Sequence, residues 1–224
     1  MLKKEDFTYI EKHLAFCEKL NDAEIQLLKN NFTSLKYNKG ENLHGVNQEC
    51  VGLILIKSGE LRVYILSEEG REVTLYRLAE GDSCILSASC ILNNITFDVF
   101  IDAEQDTDVL LLNVGTLSIL SEKNIHVENY VNKKVAEKFS DVMWAVEQML
   151  FMSFDKRLAG FLHDEMVKIN SNKIKLTHEQ IAKYVGSARE VVSRMLKNFE
   201  TQGILKLSRG IIEITDEKKL RELL

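Results

Sequence analysis

The sequence predicts an α+β chain with three parts: an N-terminal antiparallel β-roll of jelly-roll type, one long helix, and a C-terminal winged helix-turn-helix. Three observations carry this prediction. Between Phe32 and Asn113, short segments of alternating character are punctuated by Gly40, Gly45, Gly52, Gly59, Gly70 and Gly81 at intervals of five to eleven residues, the rhythm of strands joined by turns. From about residue 125 to 152 the chain holds neither Gly nor Pro. The stretch Thr177 to Ile204 then has the layout of a capped helix, a glycine turn and a second amphipathic helix.

A length of 224 residues suits two small domains sharing one chain. The expected division is a β-roll over 1–124, a long helix and hinge over 125–153, and a winged helix-turn-helix over 154–224. There is no run of eighteen apolar residues and no signal peptide, so the expected location is the cytoplasm, with no membrane partner. Cysteines at 17, 50, 84 and 90 are too scattered for a disulfide framework.

Taken in order, residues 5–30 hold one or two short helices. Leu61, Val63 and Ile65 alternate with Arg62, Tyr64 and Leu66, which is strand periodicity. Glu68-Glu69-Gly70 reads as a hairpin turn into a strand over Glu72–Leu78. In the long helix Val135, Phe139, Val142, Val146 and Met149 repeat with spacings of 4, 3, 4 and 3, the seam of a two-helix coiled coil. The same stripe would also suit a helix packed on its own domain, and Met143, Trp144 and Leu150 widen the apolar surface. Phe151 to Phe154 forms a hinge and Asp155–Lys168 a helix. Beyond the helix-turn-helix, the chain from Gly203 reads as a two-stranded wing turning at Arg209-Gly210, and 216–224 as a short terminal helix.

The helix-turn-helix carries the chemistry. Thr177 caps its first helix and Gln180 stands where a capping box puts the reciprocal partner. Ile181, Ala182 and Val185 share one face, Gly186 supplies the turn, and Val192, Met195, Leu196 and Phe199 form the buried face of the second helix. The opposite face presents Arg189, Glu190, Ser193, Arg194 and Lys197. Arginine can donate two parallel hydrogen bonds to guanine, and a carboxylate can accept from the cytosine amino group. Hydroxyls and lysines suit phosphate contacts; Thr177 and Arg209 are further candidates. Residues 155–224 carry 14 Lys or Arg against 10 Asp or Glu, whereas 1–154 carry 15 against 24. Positive charge therefore concentrates where double-stranded DNA would lie.

These residues resemble the DNA-binding domain of the Crp/Fnr family of bacterial transcription regulators. Arg189, Glu190, Val192 and Arg194 match its R-E-x-V-x-R signature. The resemblance implies base reading by Glu190, Ser193 and Arg194 in the Fnr manner, or by Arg189, Glu190 and Arg194 in the Crp manner, on a half-site with a TGA-like core. Ala188 stands where Crp-like members carry a phosphate-contacting serine. Lys57 to Tyr64, Gly70-Arg71-Glu72 and Gly81-Asp82 look like the β-roll of cyclic-nucleotide-binding sensors. The family also implies a homodimer formed along the long helix, with RNA polymerase as a further partner.

The ligand pocket departs from the cyclic-nucleotide pattern. Ile85 and Leu86 stand where a Gly-Glu pair caps the ribose, and Phe97-Asp98-Val99 where an arginine pairs with the cyclic phosphate. A phosphate needs a donor fork and positive charge, so cyclic AMP is not the expected ligand. Cys84 and Cys90 border the same place. They read as a redox pair, metal site or thiol sensor, against the commoner alternative of small buried hydrophobes. Together with Phe97 and Asp98 they are the candidates for sensing an unknown small-molecule or redox effector. Only Cys17 lies in the N-terminal segment, which does not support an Fnr-type iron–sulfur cluster. His13, His44, His126, His163 and His178 are isolated, and neither haem ligation nor a metal site is supported. No catalytic residues are indicated and the chain is not expected to be an enzyme. A constitutive DNA-binding protein with a vestigial sensor, and more remotely a cupin-like metalloenzyme, are the rival readings.

Overall fold

The computed structural model of the chain describes residues 2–45, 51–85 and 99–224. Contacts divide it into two compact units, Met1–Ile65 with Leu75–Val142, and Leu66–Thr74 with Met143–Leu224. The division falls inside the long helix rather than at either of its ends.

The first unit opens with α1 (Lys4–His13), a 3-10 turn (Ala15–Lys19) and α2 (Asp22–Asn31). The α2 start is fixed by a reciprocal cap: the Glu24 amide donates to Asn21 Oδ1 at 3.0 Å, and the Asn21 amide to Glu24 Oε2 at 2.9 Å. Eight strands follow among the described residues: β1 (Phe32–Tyr37), β2 (Asn42–His44), β3 (Leu53–Ser58), β4 (Glu60–Leu66), β5 (Glu72–Ala79), β6 (Ser83–Cys84), β7 (Phe100–Ala103) and β8 (Thr107–Leu112). They form two four-stranded sheets in the orders β1-β8-β3-β6 and β2-β7-β4-β5, the double-sheet roll expected. The predicted hairpin turn lies between β4 and β5, where the Gly70 amide donates to the Ser67 carbonyl at 2.9 Å.

Strand β3 departs from simple alternation, because Leu53, Ile54, Leu55 and Ile56 are all buried. Successive side chains point to opposite faces, and both faces of this strand are covered. Leu53 and Leu55 join a core with α1, α2 and the helices after β8, whereas Ile54 and Ile56 face the second sheet beside Leu61, Val63 and Ile101. Arg62 of β4 is also buried. The Arg62 guanidinium lies 3.4 Å from Asp102 and 3.1 Å from Glu104 and packs over the Tyr64 ring. A buried charge held this way is paired on two sides.

Helix α3 (Val114–Lys123), capped by Asn113 accepting from the Thr116 amide at 2.9 Å, was not anticipated from the sequence. Helix α4 (Ile125–Phe151) matches the long helix within a residue. Its faces divide the expected stripe. Val135 and Val142 pack against the first unit's own cores, and Met149 is half-buried. Its exposed apolar residues include Ile125, Trp144 and Phe151, and also Phe139 at 63%, Met143 at 47%, Val146 at 37% and Leu150 at 69%. The last four form a regular set. Spaced 4, 3 and 4 apart, they make a coiled-coil stripe of their own, sharing only Phe139 and Val146 with the expected one.

The second unit continues with α5 (Phe154–Ile169), β9 (Lys173–Ile174), α6 (His178–Val185), α7 (Arg189–Thr201), β10 (Leu205–Ser208), β11 (Ile211–Ile214) and α8 (Glu217–Glu222). The wing is three-stranded, in the order β10-β11-β9, not two-stranded. Ile212 faces Ile174 across the added pair. Leu158, Leu162, Ile181, Val192, Leu196, Phe199, Ile212 and Leu220 share one buried core.

Candidate nucleic-acid interface

Local chemistry fixes the geometry of α6 and α7. The Gln180 amide donates to Thr177 Oγ1 at 3.1 Å and the Thr177 amide to Gln180 Oε1 at 2.8 Å, so two otherwise orphaned helix-start donors are satisfied. At the other end Gly186 sits in the left-handed region, with φ of 62°. An L side chain there costs roughly 1–2 kcal/mol, and a Cβ would stand 3.3 Å from the Met149 methyl. The Gly186 amide returns to the Ala182 carbonyl, which stops α6 and turns the chain. Arg157 of α5 donates to the Val185 carbonyl at 3.1 Å, placing positive charge at the negative end of α6.

Helix α7 then starts at Arg189. Val192, Leu196 and Phe199 are buried and anchor one face. Arg189, Glu190, Arg194 and Lys197 are exposed, and Ser193 is half-buried among them. The five recognition-face candidates thus share one solvent-facing stripe, as their spacing predicts. Arg209 is exposed at the wing tip, between Ser208 and Gly210. Thr177 is committed first to its capping role, though it also lines a cavity of about 370 Å³ with His178, Glu179, Arg189, Ser208 and Gly210. That cavity brings together the start of α6, the start of α7 and the wing.

His178 is the residue that sequence reasoning left uncommitted. Its Nδ1 lies 2.8 Å from Ser193 Oγ, tying the first residue of α6 to the outward face of α7. Burial, and then the positive charges of Arg189 and Lys197, hold its pKa below the ordinary histidine value. No sequence signal marks this pair, because fifteen residues and a turn separate its members.

The sensor candidates stand differently. Cys84 is fully buried within the β-roll core, the environment of a small buried hydrophobe, whereas thiolate chemistry needs partial exposure. Cys90, Phe97 and Asp98 lie outside the described residues. Cys17 is also buried, and burial pushes its thiol up to about 12. Among the described residues no three His, Cys, Asp or Glu side chains stand together as a metal-binding group. Nor is any helix there long and apolar enough to cross a membrane.

Comparison with known proteins agrees with this geometry. A family model of the Crp-like helix-turn-helix domain matches residues 156–223. The crystal structure of a proposed transcriptional regulator of the Crp/Fnr family from Eubacterium rectale is 46% identical, covers 95% of this chain and 99% of its own, and superposes with a TM-score of 0.92. The fumarate and nitrate reduction regulatory protein of Yersinia pestis is 25% identical over 91% of this chain and 84% of that protein. The cAMP-activated global transcriptional regulator Vfr of Pseudomonas aeruginosa is 22% identical over 76% of this chain and 83% of its own length.

Proposed function

The chain belongs to the Crp/Fnr family of transcription regulators, and on that premise we propose that it binds a palindromic DNA site as a homodimer, under control of a signal received at the β-roll. The observation that carries the DNA reading is the solvent-facing stripe of α7. Arg189, Glu190, Arg194 and Lys197 stand exposed on a helix whose opposite face is buried and whose start is set by Gly186. Such a helix presents a donor fork, a carboxylate acceptor and a cation at the spacing of major-groove base edges. Arg194 and Glu190 read bases in this proposal, Ser193 adds a hydroxyl, and Lys197 and Arg209 hold phosphates.

The homodimer forms through α4. Phe139, Met143, Val146 and Leu150 offer an unpartnered apolar stripe at coiled-coil spacing, and a two-fold axis along it makes one patch self-complementary. The signal is a dissociable ligand rather than oxidation at Cys84, whose sulfur has no exposed surface. The cAMP named for the Pseudomonas relative is not carried over, because Phe97-Asp98-Val99 supplies no cationic fork for a phosphate. RNA polymerase is the further partner of a regulator of this kind. Its work is binding, with no catalytic step.

Selection of duplexes from a randomised pool by the full-length protein tests the reading. Enrichment of a two-fold symmetric site, lost in Arg194→Ala, is the expected result. Equal retention of all duplexes by the wild-type protein would overturn it.

A further inference from the structure

We infer that His178 is a positioning residue for base reading: through Nδ1 it sets the direction of the Ser193 hydroxyl, so that protonating the imidazole changes which base edges Ser193 can satisfy. This rests on the DNA reading above and deepens it. The motivating geometry is the 2.8 Å contact between Nδ1 and Oγ, made by a histidine that lines the cavity shared by α6, α7 and the wing.

The chemistry follows from the inventory of donors. A neutral imidazole carrying its proton on Nε2 accepts at Nδ1, so the serine hydroxyl donates to it and keeps only lone pairs for DNA. Such a serine satisfies an amino group, on adenine N6 or cytosine N4. An imidazolium has donors on both nitrogens. Nδ1–H then donates to Oγ, and the serine hydrogen is released toward an acceptor such as thymine O4 or guanine O6. For the Nε2–H tautomer that the inference requires, protonation therefore adds a donor to the reading face without moving the backbone.

The charged groups around the ring lie on α6 and α7. Arg189 and Lys197 of α7 act on it electrostatically, Glu179 is its neighbour on α6, and the wing contributes no titratable side chain to the cavity lining. The two cations favour the neutral ring in free protein. A DNA phosphate against Arg189 and Lys197 would offset them and favour the charged ring, so the change is coupled to binding.

The test uses full-length wild type, His178→Gln and Ser193→Ala, with circular dichroism establishing that each folds. Affinities are measured at pH 5.5 and 8.0 for the best selected duplex and for versions substituted at each half-site base pair. The base pair whose preference relaxes in Ser193→Ala marks where that hydroxyl reads. At that pair the wild type should shift by roughly 2- to 10-fold toward acceptor-bearing bases as pH falls, the worth of one hydrogen bond. The glutamine variant, which can still bond Oγ but does not titrate, should keep a preference that is the same at both pH values. An unchanged wild-type preference between the two pH values, or an equal shift in His178→Gln, overturns the inference and leaves the DNA reading intact. Absence of any sequence preference in the wild type removes both.

Discussion

At the scale of single residues, the candidate interface rests on a few side chains whose contributions separate cleanly. Replacing Arg194 by Ala should cost about 1–3 kcal/mol on the preferred duplex and much less on random DNA, as read by titration against both. Thr177→Ala removes the acceptor for the Gln180 amide and should lower unfolding stability by about 1 kcal/mol, measured by denaturant titration with DNA absent. His178 supplies a pH dependence of stability. Its folded pKa is depressed, so the unfolded chain takes up the proton more readily. Stability is therefore full above the unfolded value near 6.5 and declines as pH falls through it toward the folded value. Denaturation midpoints across pH 5 to 8 should show that decline, and His178→Gln should flatten its share of the slope. Thr177, Gln180 and Gly186 were legible in the sequence because each acts within four residues of its partner. The contact between His178 and Ser193 was not, since it depends on how α6 and α7 cross. The burial of Arg62 was not legible for a related reason: only the pairing of β4 with β7 brings Asp102 and Glu104 to it.

At the scale of elements, long amphipathic segments were readable and short ones were not. Helix α4 announced itself over 27 residues, whereas β9 has two residues, too few for any period. Helix α3 carries Gly115 in its first turn and leaves Ile119 41% exposed, so its apolar pattern is indistinct; Leu117 and Leu120 still anchor it in the core. The coiled-coil seam shows the limit of periodicity. A 4-3 repeat starting at Val135 and another starting at Phe139 overlap on the same helix, and only burial separates the stripe spent on the β-roll from the one left open. The consequence is checkable. Phe139→Glu with Leu150→Glu places charge on the open stripe and should give a monomer by sedimentation velocity, with far-ultraviolet dichroism unchanged. The pair Val135→Glu and Val142→Glu should instead destabilise the first unit, because those side chains pack against its cores.

At the scale of the whole molecule, charge is segregated: 1–154 carry an excess of nine negative charges and 155–224 an excess of four positive ones. DNA affinity should consequently fall linearly on a log–log plot against salt. Arg209→Ala should reduce the magnitude of that slope by about 2, one phosphate contact for each subunit of a dimer, with base preference unchanged. The two-part organisation was legible from this segregation and from glycine spacing, while the identity of the signal was not, because it depends on pocket residues that pattern alone leaves open. One feature of the β-roll bears on how the chain reaches this state at all. Leu53-Ile54-Leu55-Ile56 becomes covered on both faces only after the helices before β1 and after β8, and the opposite sheet, have all arrived. Until then a newly synthesised chain displays an uncharged strand-forming run whose nearest charge is Lys57, the kind of segment through which nascent chains adhere to one another. Crowded expression should therefore favour inclusion bodies, and slow synthesis or a chaperone that shields this run should favour soluble protein.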